Sequence, residues 1–273
     1  MTLNELESVF VRIGGQQWEP DAALAAVQRI NALGSGGLGA VVDDLKNSGN
    51  AANFFGHLAE VNFAATFMEA GETLDHAVHQ LLGPDIDFRW RAAGHEVFME
   101  LQRRSPARPA QRQQADDIGR VQQVIFKKAK KFATAIPPNA VNLVVIDVCQ
   151  LIGGMMDVAD CLLAAGGAAL AVEHYDGPVF ATPVGAFEPV DAAQLDHDKQ
   201  QWIADFHVVH AGAPHPRDVL HGVFFLFRDP PQTTFLRYRL TGCMVWNQPL
   251  AATVQALEVE AALYRIIPFL GWH

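Results

Sequence analysis

The residues whose types and spacing suggest chemistry are two acids, Asp87 and Glu100, on either side of a short turn. The flanking segments mix apolar and polar residues, and Ala93-Gly94 between them predicts a β-hairpin with a two-residue turn. That register places Asp87 directly opposite Glu100, with Cβ atoms roughly 4.5–5.5 Å apart. Two facing carboxylates repel one another unless a cation lies between them. A divalent metal with oxygen ligands, Mg²⁺ or Mn²⁺, is therefore expected at this pair, the alternative being an edge hairpin with solvated acids.

A strongly basic segment begins where the second strand of this hairpin ends. Residues 103–131 carry nine cations against two acids, a net charge of +7, whereas the whole chain carries −10, which leaves −17 elsewhere. The cations are Arg103, Arg104, Arg108, Arg112, Arg120, Lys127, Lys128, Lys130 and Lys131. Such a segment is either a solvated helix face or a surface that binds phosphates.

Helices are predicted on both sides of the hairpin. Asn53–Ala70 has apolar residues at helical spacing and Gly71 after its end, and Glu60 falls beside the apolar stripe, where it can line a cleft. A long helix is expected from Asp116 or Asp117 to about Ala135, with Lys127 and Lys131 together on an exposed side. A short helix is also expected between the first helix and the hairpin, over Thr73–Leu82.

The other segments predict a sheet covered by helices. Asn142–Cys149 is a continuous apolar run, typical of a central strand buried on both faces. Further strands are expected at Gly222–Arg228 and Thr234–Leu240, and helices at Met155–Ala169 and Ala251–Ile267, with an irregular acidic region over residues 173–217. With short helices in residues 1–50, this order predicts an α/β fold of the α+β type with a mixed central sheet. No linker divides residues 1–273, so a single domain is expected.

The hairpin resembles a known family of nucleases. Gly83-Pro84-Asp85-Ile86-Asp87, the turn, and then Val97–Gln102 look like the motif of the PD-(D/E)xK, or restriction-endonuclease-like, superfamily. The order of elements agrees: a helix with an acid precedes the hairpin, and a basic helix and a buried strand follow it. The resemblance covers residues 53–149, while residues 150–273 would add strands, the acidic loop region and a C-terminal helix.

The resemblance implies roles for individual residues. Asp87 and Glu100 would bind the metal, Asp85 competes with Asp87 because it holds the literal "PD" place, and Glu60 would be the helix acid that completes the site. Gln102 stands where the family usually has Lys; it can only orient a water by hydrogen bonds. A lysine of the following helix would then supply the charge, and Lys127 and Lys131 are favoured. Nucleic-acid contacts would come from Arg103, Arg104, Arg108, Arg112, Arg120, Lys128 and Lys130.

These features predict a Mg²⁺-dependent (or Mn²⁺-dependent) phosphodiester hydrolase, similar to DNA endonucleases, whose partner is DNA and which forms a homodimer for double-strand cleavage. One alternative is a catalytically inactive protein of the same fold that binds nucleic acid or a protein partner. Another is a small-molecule enzyme or interaction module in which the carboxylate pair is accidental.

Composition limits the location of the protein. No apolar run approaches the roughly 18 residues of a membrane span, and the N-terminus has acids where a signal peptide has cations. The three cysteines, Cys149, Cys161 and Cys243, form no CxxC pair. A cytoplasmic protein with reduced thiols is therefore expected. The histidines of residues 197–215 contain no HExxH motif, so a zinc site there is the weaker alternative.

Overall fold

Four helices form the N-terminal part of the protein. The structure is a computed structural model, and it describes residues 1–12, 20–78, 85–103, 114–132, 136–148, 164–166, 187, 214–229 and 239–269. The helices are α1 (Leu3–Arg12), α2 (Pro20–Ser35), α3 (Gly39–Lys46) and α4 (Ala51–Glu69). The side chain of Asn50 caps α4 by accepting a hydrogen bond from the backbone N–H of Asn53 at 2.9 Å. Gly71 follows α4 with a φ of 81°, so the predicted helix and its glycine stop are confirmed.

Six strands form one mixed sheet. They are β1 (Leu74–Val78), β2 (Ile86–Ala92), β3 (His95–Arg103), β4 (Ala140–Asp147), β5 (Gly222–Asp229) and β6 (Arg239–Trp246), in spatial order β1 to β6. The pairs β1/β2, β2/β3 and β5/β6 are antiparallel, whereas β3/β4 and β4/β5 are parallel. The predicted α/β fold with a mixed sheet is therefore confirmed.

The hairpin turn between β2 and β3 has the predicted two residues. Ala93 and Gly94 both adopt positive φ, 50° and 78°, which is the geometry of the tight turns that match the twist of a hairpin. The strand pairs Ala92↔His95 and Phe88↔Met99 on either side of it have the predicted register. An error of one residue would have moved every side chain of β3 to the other face of the sheet.

Helices cover both faces of the sheet. On one face, α4 and the preceding helices pack on Met99, Leu143 and Val145 in one large apolar core. On the other face lies α5 (Gln114–Ala129), whose buried Val121 and Ile125 share a second core with neighbouring strands. The chain continues through α6 (Pro216–Val219), α7 (Gln248–Ala251) and α8 (Ala256–Ile266). All eight residues of β4 are buried, as its apolar run predicts.

One predicted element is wrong and another begins later than predicted. Thr73–Leu82 is not a helix, because Leu74–Val78 is strand β1, paired antiparallel with β2. Five residues are too few for a periodic pattern to decide, and the free edge of β2 determines the conformation. The helix expected over Ala251–Ile267 is confirmed as α8, but it begins later, at Ala256, after a turn over residues 252–255 that separates it from α7.

Other boundaries differ from the sequence prediction. Of the strand expected over Thr234–Leu240, only residues 239 and 240 are described; they belong to β6, which continues beyond the predicted end to Trp246 and pairs with β5. Helix α5 ends at Ala129 rather than near Ala135, and residues 133–135 lie outside the described part of the chain. The predicted helix at 155–169 and the acidic region at 173–217 lie mostly outside the described residues. Among the helices that the structure describes, none has the length and apolar character needed to cross a membrane.

Candidate active site

The hairpin brings Asp87 and Glu100 into direct contact. Glu100 is completely buried, and the side chain of Asp87 is 21% exposed. The backbone N–H of Leu101 donates to Oδ2 of Asp87 at 2.8 Å, and the N–H of Asp87 donates to Oε1 of Glu100 at 3.3 Å. Glu100 pairs with Val144 of β4, which belongs to the core shared with α5. The carboxylate pair therefore lies on the α5 face of the sheet.

Two lysines at the end of α5 bind both carboxylates. Nζ of Lys128 lies 2.7 Å from Oε2 of Glu100, and Nζ of Lys131 lies 2.7 Å from Oε1 of the same residue. Each Nζ is also 3.8 Å from an oxygen of Asp87, Oδ2 for Lys128 and Oδ1 for Lys131. Below, these four residues are called the carboxylate–lysine cluster. Their formal charges sum to zero.

Burial and charge act in opposite directions on the cluster. Burial, assisted by the negative charge of Asp87, raises the pKa of Glu100, and the two lysines oppose this rise without cancelling it. Burial by itself would lower the pKa of Lys131. The hydrogen bond to Glu100 and the charges of Glu100, Asp87 and Glu60 outweigh it, so that pKa is raised. Lys131 therefore stays protonated at neutral pH.

Helix α4 adds an acid and a histidine beside the cluster. The side chain of Glu60 is 17% exposed, and its charge contributes to the raised pKa of Lys131. Nδ1 of His57 lies 3.4 Å from Oε2 of Glu60. This hydrogen bond raises the pKa of His57, and the charges of Glu60, Asp44 and Asp87 act in the same direction. The helix acid expected from the sequence thus lies within electrostatic range of Lys131, one of the four residues of the cluster.

Only one of the two lysines that the sequence favours belongs to the cluster. Lys131 makes the expected contact, but the second lysine is Lys128, while Lys127 is exposed. The choice of Lys127 assumed that the helix continues past Lys131. Because α5 ends at Ala129, the chain turns, and the N–H of Lys131 donates to the carbonyl of Lys128 at 3.0 Å. The turn brings the two side chains to the same place.

Gln102 and Arg103 are held next to the cluster. The amide Nε2 of Gln102 donates to the backbone carbonyl of Arg103 at 3.0 Å. The side chain of Arg103 is buried, with its guanidinium 4.6 Å from the centre of the Phe55 ring on α4, a cation–π contact. Arg103 therefore lies against α4 rather than on an exposed basic surface.

The other residues that the sequence predicts for the site are not members of the cluster. Asp85 precedes β2 and is exposed, and Lys130 is exposed just after α5. Arg120 lies in α5, but its side chain is not among those described. Arg104, Arg108 and Arg112 lie outside the described residues. Of the cations in the basic segment, the structure therefore describes the side chains of Arg103 and of the four lysines from Lys127 to Lys131.

The cluster fits a magnesium ion by the chemistry of its donors. Carboxylate oxygens are the ligands that Mg²⁺ prefers, and this ion commonly takes one or two carboxylates and completes its shell with water and phosphate. Asp87 and Glu100 supply two. Among the described residues, there is no group of three or more His, Cys, Asp or Glu side chains that could together hold a metal ion.

Two buried titratable groups outside the cluster were not recognised in the sequence. Nδ1 of His221 accepts a hydrogen bond from the N–H of Asn142 at 3.0 Å, and burial lowers the pKa of His221 to about 4. Glu260 of α8 accepts a hydrogen bond from Nε1 of Trp246 at 2.6 Å, and burial raises the pKa of its carboxyl. Nothing in the local sequence pattern distinguishes these residues from solvated ones.

No family model, curated protein or solved structure matches this chain. The class of this protein is therefore defined by its own fold and site. The protein is a mixed α/β protein with a buried carboxylate pair on a β-hairpin, neutralised by two lysines from the adjacent helix.

Proposed function

We propose that this protein is a metal-dependent phosphodiester hydrolase of the PD-(D/E)xK type that cleaves DNA at the carboxylate–lysine cluster. One observation carries the proposal: Lys128 and Lys131 reach from α5 to Glu100 at 2.7 Å each. The hairpin has Gln102 where the motif usually has Lys. A lysine from the following helix supplies the missing positive charge at the same carboxylate pair.

Asp87 and Glu100 would hold the divalent ion, Mg²⁺ or Mn²⁺. When bound, such an ion polarises a phosphoryl oxygen and lowers the pKa of a bound water. Glu60, on α4, adds negative charge from the other side of the cluster and holds His57 through the 3.4 Å contact. Glu60 thus adds one negative charge beside the otherwise neutral carboxylate–lysine cluster.

The lysines and the glutamine act on the substrate. An ammonium group beside the scissile phosphate stabilises the negative charge that develops on the phosphoryl oxygens in the transition state. Gln102 cannot remove a proton from water, but its amide oxygen can accept a hydrogen bond and so orient the attacking molecule. Its Nε2 is already bound to the carbonyl of Arg103, which fixes the amide plane.

The end of α5 provides the contacts to the nucleic-acid backbone. Lys127 and Lys130 are exposed there, next to the lysines of the cluster. Lysine contacts to phosphates release counterions, so binding weakens as salt increases. The charge of −17 outside residues 103–131 confines the contact to this side of the molecule.

A second candidate is a protein of the same fold that binds nucleic acid without cleaving it. The observation that favours it is the neutral charge of the cluster, in which each oxygen of Glu100 already has an ammonium partner. Such ion pairs can be purely structural, and Gln102 would then mark the loss of catalysis.

Plasmid cleavage by variants at Asp87 and Asp85 tests the proposal. We expect the wild type to cut DNA in Mg²⁺ or Mn²⁺ and to be inactive in EDTA. Asp87→Asn should reduce the rate by at least about 100-fold, since even residues that only support metal ligands contribute 10- to 100-fold. Asp43→Asn, at an exposed residue of helix α3 that belongs to no part of the cluster, is the control and should retain the wild-type rate. A loss in Asp85→Asn instead of Asp87→Asn would move the metal ligand to Asp85.

The same preparation separates the two candidate functions. DNA binding at low salt without cleavage under any divalent ion would favour the inactive binding protein. Absence of both binding and cleavage would contradict both candidates. RNA of the same sequence, assayed in parallel, identifies the nucleic acid.

A further inference from the structure

The carboxylate–lysine cluster is electrically complete without a metal ion. Two carboxylates face two ammonium groups, with contacts of 2.7 Å to Glu100 and 3.8 Å to Asp87. Glu100 is completely buried, and the side chains of Lys128 and Lys131 are 16% and 31% exposed. Water therefore screens these charges only weakly.

A divalent ion added to this arrangement would leave two uncompensated positive charges beside two ammonium groups. Like charges in a partly buried site are strongly unfavourable. The ion can bind well only if the ammonium groups leave the carboxylates or if negative charge arrives with it. A phosphodiester provides both, since it is an anion and its oxygens accept hydrogen bonds from lysine.

We propose that Lys128 and Lys131 are the counterions of the resting site and that they exchange partners when substrate binds. Their hydrogen bonds pass from Glu100 to a phosphodiester, and their 3.8 Å ion-pair contacts with Asp87 are released. The two carboxylates then become available to a divalent ion. Metal and nucleic acid therefore bind cooperatively, and neither binds tightly alone at this site. This inference rests on the proposed function, because it concerns the same four residues.

The position of the two lysines permits the exchange. Both lie at the end of α5, Lys128 in its last turn and Lys131 in the turn that follows, so their long side chains can rotate without moving the helix. A lysine side chain has a flexible four-carbon stem and three donors. A phosphodiester has two non-bridging oxygens, so it can replace the two charge-assisted hydrogen bonds to Glu100 one for one.

Thermodynamic linkage gives the size of the effect. If substrate raises the affinity for metal by some factor, metal raises the affinity for substrate by the same factor, and such couplings are typically on the order of 5- to 150-fold. Removing one of the competing ammonium groups should therefore tighten metal binding in the absence of any phosphate. We expect about a tenfold decrease in the Kd for metal, toward the lower end of that range because the other ammonium group remains.

The test measures Mn²⁺ binding to the full chain from the electron paramagnetic resonance signal of free Mn²⁺, with no nucleic acid present. Lys128→Met and Lys131→Met remove the charge and keep the stem. Lys46→Met, on α3, removes a lysine whose ion-pair partner is Asp43 rather than a residue of the cluster, and is the matched control. We expect tighter Mn²⁺ binding in Lys128→Met and Lys131→Met, and no change in Lys46→Met. Equal or weaker binding in both cluster variants would overturn the inference.

A measurement on the wild type does not depend on whether a variant folds. Dimethyl phosphate, a minimal phosphodiester that resists hydrolysis, should lower the Kd for Mn²⁺, after correction for its own binding of Mn²⁺ measured without protein. If neither dimethyl phosphate nor the lysine substitutions change the Kd for Mn²⁺, the partner exchange is overturned but the proposed metal site remains intact. Absence of Mn²⁺ binding in every variant and mixture overturns the metal site and the inference together.

Discussion

Substitution of Lys128 by methionine should destabilise the fold far more than the same substitution at Lys127. In the wild type, Nζ of Lys128 lies 2.7 Å from Oε2 of Glu100, whose side chain is completely buried. Lys128→Met leaves that carboxylate oxygen without its ammonium partner. Breaking a buried ion pair by removal of one partner costs about 3–5 kcal/mol. Lys131 keeps the other oxygen paired, so we expect about half of this cost, ~2 kcal/mol of unfolding free energy.

Urea unfolding at pH 7, followed by tryptophan fluorescence, measures the difference. Trp90 and Trp246 are buried on different parts of the sheet, so both report on global unfolding. The matched control is Lys127→Met, one residue earlier on α5, because Lys127 is exposed. Exposed substitutions usually change stability by less than about 0.5 kcal/mol. The dependence of the unfolding free energy on urea should be unchanged in both variants.

A double-mutant cycle identifies Glu100 as the reason. In a Glu100→Gln background there is no carboxylate to leave unpaired, so Lys128→Met should cost clearly less than in the wild type. The difference, the coupling energy, should be about 1–2 kcal/mol for groups in direct contact. Equal stability of Lys128→Met and Lys127→Met, or a coupling energy near zero, would refute the buried ion pair.

Two further predictions concern pH and the buried groups away from the cluster. Burial lowers the pKa of His221 to about 4, so its neutral form is favoured in the folded state. The unfolding free energy of the wild type should therefore decrease by about 3 kcal/mol as pH falls from 6.5 to 4. In His221→Asn the decrease over the same pH range should be smaller by that amount. Equal pH dependence in urea unfolding would contradict this. Burial raises the pKa of Glu260, so its contribution to stability is present below pH 4.5 and is lost as pH rises through the raised folded-state pKa. The Tm of Glu260→Gln should therefore fall less with rising pH than that of the wild type, and parallel Tm curves would exclude this role of Glu260.

The register of the hairpin was predictable because local chemistry specifies it. A two-residue turn at Ala93-Gly94 leaves one pairing of the flanking strands, and the alternation of apolar residues supports the same pairing. The contact between Asp87 and Glu100 follows from that register. The central strand β4 was equally predictable, since a continuous apolar run must be buried on both faces.

The identity of the second lysine was not predictable from helical periodicity. It depends on where α5 ends, and helix ends are set by packing and capping that a periodic pattern does not contain. Strand β1 was missed for a related reason, because Leu74–Val78 is a strand through its pairing with β2 rather than through its own pattern. The burial of Arg103 against Phe55 likewise depends on a contact between distant parts of the chain.

The most direct measurement is the single-turnover rate of DNA cleavage by the wild type and by Glu100→Gln, in the same buffer with Mg²⁺. Glu100 is the residue at which the hairpin and both lysines meet. A neutral amide of the same shape preserves the packing and removes the charge that would bind the metal. We predict Mg²⁺-dependent cleavage by the wild type and a loss of at least about 100-fold in the variant. Cleavage at the wild-type rate by Glu100→Gln, or no cleavage by the wild type, would contradict a phosphodiesterase site at this cluster.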